Sequence, residues 1–262
     1  WVEPNVILSA FKGQREVKFS EFFYVFYRLY FDDYAAKPLI IKDPHLVQNL
    51  DMAKKVFCRS EVRVVHLIRD PRAVAKSYKA RWKNHSALSA SIAWRDAVRS
   101  GRRWSRNNSP SYLEIRYEDL VTDPENTISQ VCDFLSVQYH SCLMDLNYNV
   151  DTWNVDGKGE ATNTNFKGFD ASKLDNWRSH LTAVDIAIIE RTCRSEMPNY
   201  GYPLVNAQPN AAKFAMRYNK EMLTHTKSEL GKSLYSSKNR VGKFLRRALR
   251  GRPQHPQRDS GK

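Results

Sequence analysis

Cysteine is scarce in this 262-residue chain: Cys58, Cys132, Cys142 and Cys193 are all there is. None stands in a C-x-x-C pair or beside histidine at zinc-ligand spacing, so the sequence offers no structural metal site. Four cysteines allow three pairings, and the sequence does not choose among them. Long apolar runs are also missing. The longest, Phe22 to Phe31, is interrupted by Arg28 and falls far short of the roughly 20 residues that a spanning helix needs. Glycine and proline are too sparse, at 10 and 11 residues, for a collagen-like chain. A hydrophobic content of 42% with 12% aromatics excludes a wholly disordered chain and can fill a sizeable core. No internal repeat is visible.

Acidic residues are the other shortage: 28 against 42 Lys and Arg, a net charge of +14. The imbalance is local. Residues 203–262 carry 14 basic and 3 acidic residues, and residues 63–106 carry 12 and 2. The rest of the body is net acidic. A basic block inside an acidic body predicts an anionic ligand or substrate. The sequons Asn84-His85-Ser86 and Asn107-Asn108-Ser109 permit a secretory route without requiring one. The chain opens on Trp1 with no signal-like segment, and a further N-terminal stretch is expected upstream.

Periodicity predicts an α/β chain. Residues 19–31 read as a buried helix, aromatic nearly all round. Leu39 to Ile41 reads as a short buried strand, and residues 45–57 as a helix. The β-branched run Val62 to Ile68 predicts a strand. Asp70-Pro71 then opens a helix to about residue 82, with Asp as N-cap and Pro at the first helical position. A second helix follows over about 88–104. Tyr112 to Arg116 is a strand, and Asp123-Pro124 opens another capped helix. Residues 148–170, rich in Asn, Asp, Gly and Thr, read as a long loop, and residues 182–196 as a helix. Strands alternating with helices predict a parallel sheet covered on both faces. The domain is expected to span residues 1–202. A basic, partly disordered extension, 203–262, carries one helix near 210–223.

The strongest candidate site is VVHLIRDPRAVAKSYKAR, residues 64–81. Arg69 falls at the carboxyl end of a buried strand, where open α/β sheets bind ligands. The helix beginning at Pro71 offers a positive dipole end and unpaired backbone amides. Ser77 lies two turns in. Arg69 and Ser77 are thus placed to hold one phosphate between a guanidinium fork and a hydroxyl.

IRDPRAV with a serine eight residues after its arginine resembles the 3'-phosphate-binding segment of sulfotransferases that use 3'-phosphoadenosine-5'-phosphosulfate (PAPS). LIRDPRAVAKS looks most like the Golgi carbohydrate sulfotransferases acting on 6-hydroxyls of GlcNAc or galactose. YLEIRYEDLVTDPENTISQVCDFL, residues 112–135, resembles the strand-turn-helix of the same superfamily. Trp177-Arg178 with Leu181, Cys193, Met197 and Gly201-Tyr202 resembles the closing helices of the carbohydrate branch. The resemblance covers about residues 37–202. It implies a P-loop-NTPase-like three-layer α/β fold with a central parallel sheet.

The resemblance also implies roles. Arg69 and Ser77 hold the 3'-phosphate, Tyr117 contacts the adenine, and Lys167-Gly168 closes over the phosphate. Glu118 and Asp119 read as turn and cap residues. Lys42 matches a lysine near the transferred sulfuryl group, where a cation offsets charge on the bridging oxygen. His45 is a candidate general base by its free pKa, although it stands one position later than the histidine of cytosolic relatives. Arg81, Arg95 and Arg99, within the basic stretch, are candidate contacts to a glycan acceptor, anionic or neutral. No metal is called for. One part of the family pattern has no match here: the strand-loop-helix that cradles the 5'-phosphosulfate. Membrane anchor, stem, first strand and that loop are expected upstream of Trp1, on the lumenal side of the Golgi. Residues 1–262 by themselves are then expected to be inactive.

Gly231-Lys232-Ser233 imitates the end of a Walker motif, but Thr226 stands where the first glycine is needed. Residues 238–252 put Val241, Phe244, Leu245, Ala248 and Leu249 on one helical face among arginines, a pattern that fits an anionic lipid surface or a polyanionic glycan. Two other classes compete with the sulfotransferase reading. A basic nucleic-acid-binding protein fits the charge, but no zinc-finger, RNA-recognition or homeodomain pattern is present. A P-loop kinase would need a Walker lysine that the sequence does not supply.

Overall fold

The computed structural model describes residue 9 and residues 40–57, 61–82, 85–145 and 168–250, with residues 232–250 as backbone helix only. The helix expected over 19–31, Cys58, Lys167 and most of the 148–170 loop lie outside these. The chain divides into two compact units, Trp1–Ala207 and Gln208–Lys262.

In the first unit a short 3-10 turn leads into α1 (Leu50–Val56). Then come β1 (Val64–Ile68), α2 (Pro71–Arg81), α3 (Ala87–Asn108) and β2 (Tyr112–Arg116). The unit continues with α4 (Tyr117–Thr122), α5 (Pro124–Leu135), α6 (Trp177–His180) and α7 (Ala183–Cys193). β1 and β2 pair in parallel, Val64 opposite Tyr112 and Ile68 opposite Arg116. The two helices α2 and α3 form the crossover between them, as a parallel pair requires.

The two Asp-Pro starts behave differently. At α2, Asp70 accepts the Arg72 amide at 2.8 Å, and Pro71 occupies the first turn. At α5, Asp123 makes no side-chain cap. Its carboxylate accepts from Asn126 Nδ2 instead, and its carbonyl from the Thr127 hydroxyl. α3 and α7 start on reciprocal capping boxes, Ser86 with Ser89 and Thr182 with Asp185.

Residues 40–41 differ from the sequence reading. They form no strand, and Ile40 is 84% exposed. Among the described residues nothing pairs with them, and an apolar run without ladder hydrogen bonds has no reason to hold a strand conformation. The helix read over 45–57 is a 3-10 turn followed by the seven residues of α1.

The core of the first unit gathers Ile68, Trp94, Val98, Cys193, Met197, Tyr200 and Tyr202. It joins the end of β1 to α3 and to the segment after α7. Cys132, Cys142 and Cys193 are free thiols, and burial pushes the Cys193 thiol up to about 12. The largest fully buried side chain among the described residues is charged: Arg72 is 1% exposed. Its guanidinium pairs with Asp70 at 2.7 Å and Glu190 at 3.0 Å, donates to the Pro203 carbonyl, and lies 4.1 Å over the Trp177 ring. Glu190 also accepts the amides of Val205 and Asn206. One arginine therefore ties the α2 cap to α7, α6 and the segment 203–206.

On the same face of β1 as Ile68, His66 Nδ1 lies 2.6 Å from the Tyr112 hydroxyl, which donates to Glu114 at 3.0 Å. Glu114 also accepts from Tyr200. The Tyr112 proton is committed to Glu114, so His66 Nδ1 carries the hydrogen of the first contact. Gly101 of α3 sits over this cluster, and a Cβ there would collide with the Tyr112 hydroxyl.

The second unit contains α8 (Ala211–Arg250), a single continuous helix. It runs far beyond the 210–223 read from sequence. Gly231 and Gly242 lower helix propensity without ending it, and no proline intervenes. Gly231-Lys232-Ser233 falls inside this helix, not in a loop after a strand, so it has no P-loop context.

Replacing Arg72 with Ala should lower unfolding free energy by about 3–5 kcal/mol, because two buried carboxylates lose their counter-charge. An unfolding free energy from urea titration that falls by less than about 1 kcal/mol would contradict that role for the network. Burial lowers the His66 pKa to about 4, against the opposing pull of Glu114 at 3.9 Å. The unfolded chain then binds the extra proton first. Stability should be insensitive to this residue above about pH 6.5, fall by roughly 3 kcal/mol toward pH 4, and level off below. In His66→Gln that part of the acid dependence should vanish.

Candidate functional site

Arg69 leaves the end of β1 with its backbone fixed and its side chain half-buried. Its carbonyl accepts from Trp94 Nε1 at 2.8 Å, and its guanidinium lies 4.1 Å over the Tyr117 ring. Its Nε is buried with no hydrogen-bond partner. Among the described residues no carboxylate lies within ion-pair distance of it. The reason is local: the neighbouring Asp70 turns its carboxylate into Arg72, taking the Arg72 amide, Nε and Nη2. A partly buried cation whose nearest acid is engaged elsewhere is a ready anion-binding group.

The next turn is held from β2. Glu118, in the first turn of α4, accepts the Asp70 amide at 3.0 Å and the Tyr202 hydroxyl at 2.7 Å. Tyr202 is 2% exposed. Glu118 is therefore a cross-link between the two strand ends, not the turn or cap residue that its position in sequence suggests. Asp119 pairs instead with Arg116 at 3.4 Å. Tyr117 presents its ring to Arg69, so the residue expected to meet adenine also supports the cation next to it.

Ser77 is exposed on α2, and its hydroxyl has no partner among the described residues. The amides at the helix start are less available than the sequence suggested. Pro71 has none, and those of Arg72 and Val74 are given to the Asp70 carboxylate and carbonyl. The donors without a partner here, among the described residues, are side chains: Arg69 Nε and the Ser77 hydroxyl.

The remaining sequence candidates scatter. Lys42 sits in exposed coil, not at a strand end, because residues 40–41 form no strand. His45 is exposed in a turn, its amide bonded to Asp43. Arg81 is exposed at the end of α2 beside the Trp82 ring. Arg95 pairs with Asp96 at 2.9 Å, and Arg99 with Glu196 at 2.6 Å. Both have local charge partners and are not presented as free cations. Gly168 holds a φ of +118°, a conformation that suits glycine.

Three members of the basic block are thus answered by acids distant in sequence, Arg72 by Glu190, Lys79 by Asp185 and Arg99 by Glu196. Lys79 reaches the fully buried carboxylate of Asp185 at 2.8 Å. Burial pushes that carboxyl up, but hydrogen bonds from Lys79 and Thr182 outweigh it and hold the group below the usual carboxylate range. Sequence reasoning missed Arg72, Glu118 and Trp94. One signal for Arg72 was available: it precedes Ala73 and Ala75 on a buried helix start, and Glu190 is the one acid in the apolar run IAIIE.

A separate cleft of about 390 Å³ opens beside β2, lined among others by Ile68, Arg102, Glu114, Arg116 and Tyr200. Neither Arg69 nor Ser77 lines it. The described residues contain no cluster of His, Cys, Asp or Glu suited to a metal ion.

Glu118→Ala should destabilise the chain by about 1–3 kcal/mol, since it orphans the Asp70 amide and the Tyr202 hydroxyl. Glu118→Gln, which retains an acceptor, should recover most of that in thermal unfolding. Equal losses in both variants would show that the charge, not the bridge, matters.

A family model described as the sulfotransferase family matches residues 9–141. Among curated proteins the chain is 24% identical to Sulfotransferase 2A6 of Rattus norvegicus over 187 residues, 61% of this chain and 66% of that one. It is 23% identical to Sulfotransferase 2A1 of Mus musculus over 198 residues, 64% and 69% of the two chains. The chain thus spans about two thirds of the length of these relatives. Among solved structures it is similar to the sulfotransferase domain from the Synechococcus PCC 7002 olefin synthase. There the TM-score is 0.52 and the identity 26%, covering 70% of this chain and 65% of that chain. The sulfotransferase domain from the curacin biosynthetic pathway gives 0.51 at 19% identity, covering 70% and 69%. The second likeness is one of fold.

Proposed function

The chain belongs to the sulfotransferase family, and from that premise we propose that it carries the 3'-phosphate-binding half of a PAPS-dependent sulfotransferase. The observation that carries the reading is the orphaned guanidinium of Arg69 at the carboxyl end of β1. Such a donor, buried beside Tyr117 and denied Asp70, fits a phosphate oxygen. Ser77 would add a neutral hydroxyl donor, and Tyr117 would bear on the adenine side while keeping Arg69 in place. Trp94 and Glu118 hold the carbonyl and the amide of the one peptide unit that follows that arginine. When bound, PAPS supplies a sulfuryl group whose bond to the bridging phosphate oxygen breaks as an acceptor hydroxyl attacks sulfur. The contribution of these residues is positioning and charge neutralisation, the terms that dominate the analogous phosphoryl transfers.

The acceptor is the finer part of the proposal. A carbohydrate hydroxyl, the 6-hydroxyl of GlcNAc or galactose within a glycan, is supported by the wording of residues 67–77, and a Golgi-membrane setting follows from the same resemblance. The donor site and the acceptor are tested separately. Adenosine 3',5'-bisphosphate should bind the chain, and Arg69→Ala should weaken it at least tenfold, the loss of about one charge-assisted contact. Ser77→Ala should weaken it less. Calorimetric titration with each variant, alongside circular dichroism to confirm folding, decides it. Binding unchanged in a folded Arg69→Ala protein would refute the site. Sulfate transfer to a panel of glycans and small hydroxyl acceptors by the longer protein then reads the acceptor class.

A further inference from the structure

We propose that α8 is a membrane-surface helix that docks on anionic lipid. Three large apolar side chains, Met216, Leu223 and Leu230, stand 71%, 63% and 60% exposed on it. They are seven residues apart. At about 100° per residue such a step returns to within about 20° of its start, so the three form one stripe. Positions 234, 241, 245 and 248 continue the same angular sector, and they hold Leu, Val, Leu and Ala. Phe214, Arg217, Tyr218, Glu221, Met222 and His225 are half-buried and lie on the opposite side. There Phe214 stacks on Tyr218 and Arg217 pairs with Glu221 at 2.9 Å.

Charge selects the occupant. Residues 211–250 hold eleven Lys and Arg against Glu221 and Glu229, a net +9. Lys213, Lys220 and Lys227, all exposed and also seven apart, run along one border of the stripe. Long lysine stems beside an aliphatic strip are arranged to lay carbon chains on an apolar layer and ammonium groups among anionic headgroups. The helix is far too polar to cross a bilayer. A second copy of the helix laid stripe to stripe would bring the lysine rows together. A nucleic acid or sulfated glycan would satisfy the charge but leave the aliphatic strip with nothing to bury it. Anionic lipid satisfies both.

The test is co-sedimentation of the whole 262-residue chain with vesicles of phosphatidylcholine alone and with about 30% phosphatidylserine, each at low and high salt. Binding is expected to the phosphatidylserine vesicles only, and to decline with salt. The double variant Leu223→Glu/Leu230→Glu should bind at least tenfold more weakly. Its far-UV circular dichroism and its affinity for adenosine 3',5'-bisphosphate should be unchanged, since both residues are exposed and outside the nucleotide site. The proposal is overturned by any of three results. One is no binding to phosphatidylserine vesicles. Another is vesicle binding that the double variant leaves intact, which would indicate charge alone and a polyanion such as heparin as the better ligand. The third is a mass by light scattering that halves in the double variant, which would identify the stripe as a contact between copies of the chain.

Discussion

The first unit depends on one buried cation. Arg72 is enclosed by Asp70, Glu190, the Pro203 carbonyl and the Trp177 ring, and each belongs to a different part of the chain. Taking that guanidinium out of water is costly, and two carboxylates plus an aromatic face offset the cost only if all are in position. The arrangement is therefore demanding in geometry: α2, α6, α7 and the strip after Tyr202 must dock together or the charge is stranded. The same demand orients Asp70 away from Arg69. A structural ion pair and a free binding cation thus arise from neighbouring arginines in one four-residue sequence, Arg69-Asp70-Pro71-Arg72.

What could be read from sequence was what local chemistry determines. Val62–Ile68 and Tyr112–Arg116 announced strands through β-branched and alternating residues, and the observed strands begin and end within two residues of that reading. Asp70-Pro71 announced a helix start, and the cap forms as expected. Long-range partners were hidden. Nothing near Arg72 in sequence says that Glu190 will meet it, and nothing near Arg99 names Glu196. The basic block therefore looked like a ligand surface when Arg72, Lys79 and Arg99 within it answer acids in 183–196. Ile40 and Ile41 misled for a related reason: a strand needs a neighbour, and hydrophobicity does not say whether one is there. The strand-end position of Arg69, by contrast, was legible because it depends on a β-branched run and an Asp-Pro cap, both local.

The two units use charge in opposite ways. In the first, Arg72, Lys79 and Arg99 are matched by buried carboxylates, while Arg69 has no carboxylate within ion-pair distance among the described residues. In the second, α8 carries its cations in rows with few acids among them. A point charge held by a scaffold suits recognition of one defined phosphate, whereas a row on an exposed helix suits an extended surface.

Arg69 holds its guanidinium 4.1 Å over the Tyr117 ring and its carbonyl against Trp94, so it has surrendered part of its rotational freedom during folding. An incoming anion need not pay that entropy again. Association at this guanidinium should accordingly release heat with little ordering of the arginine itself, and loosening the ring beneath it would show first as a changed balance of enthalpy and entropy.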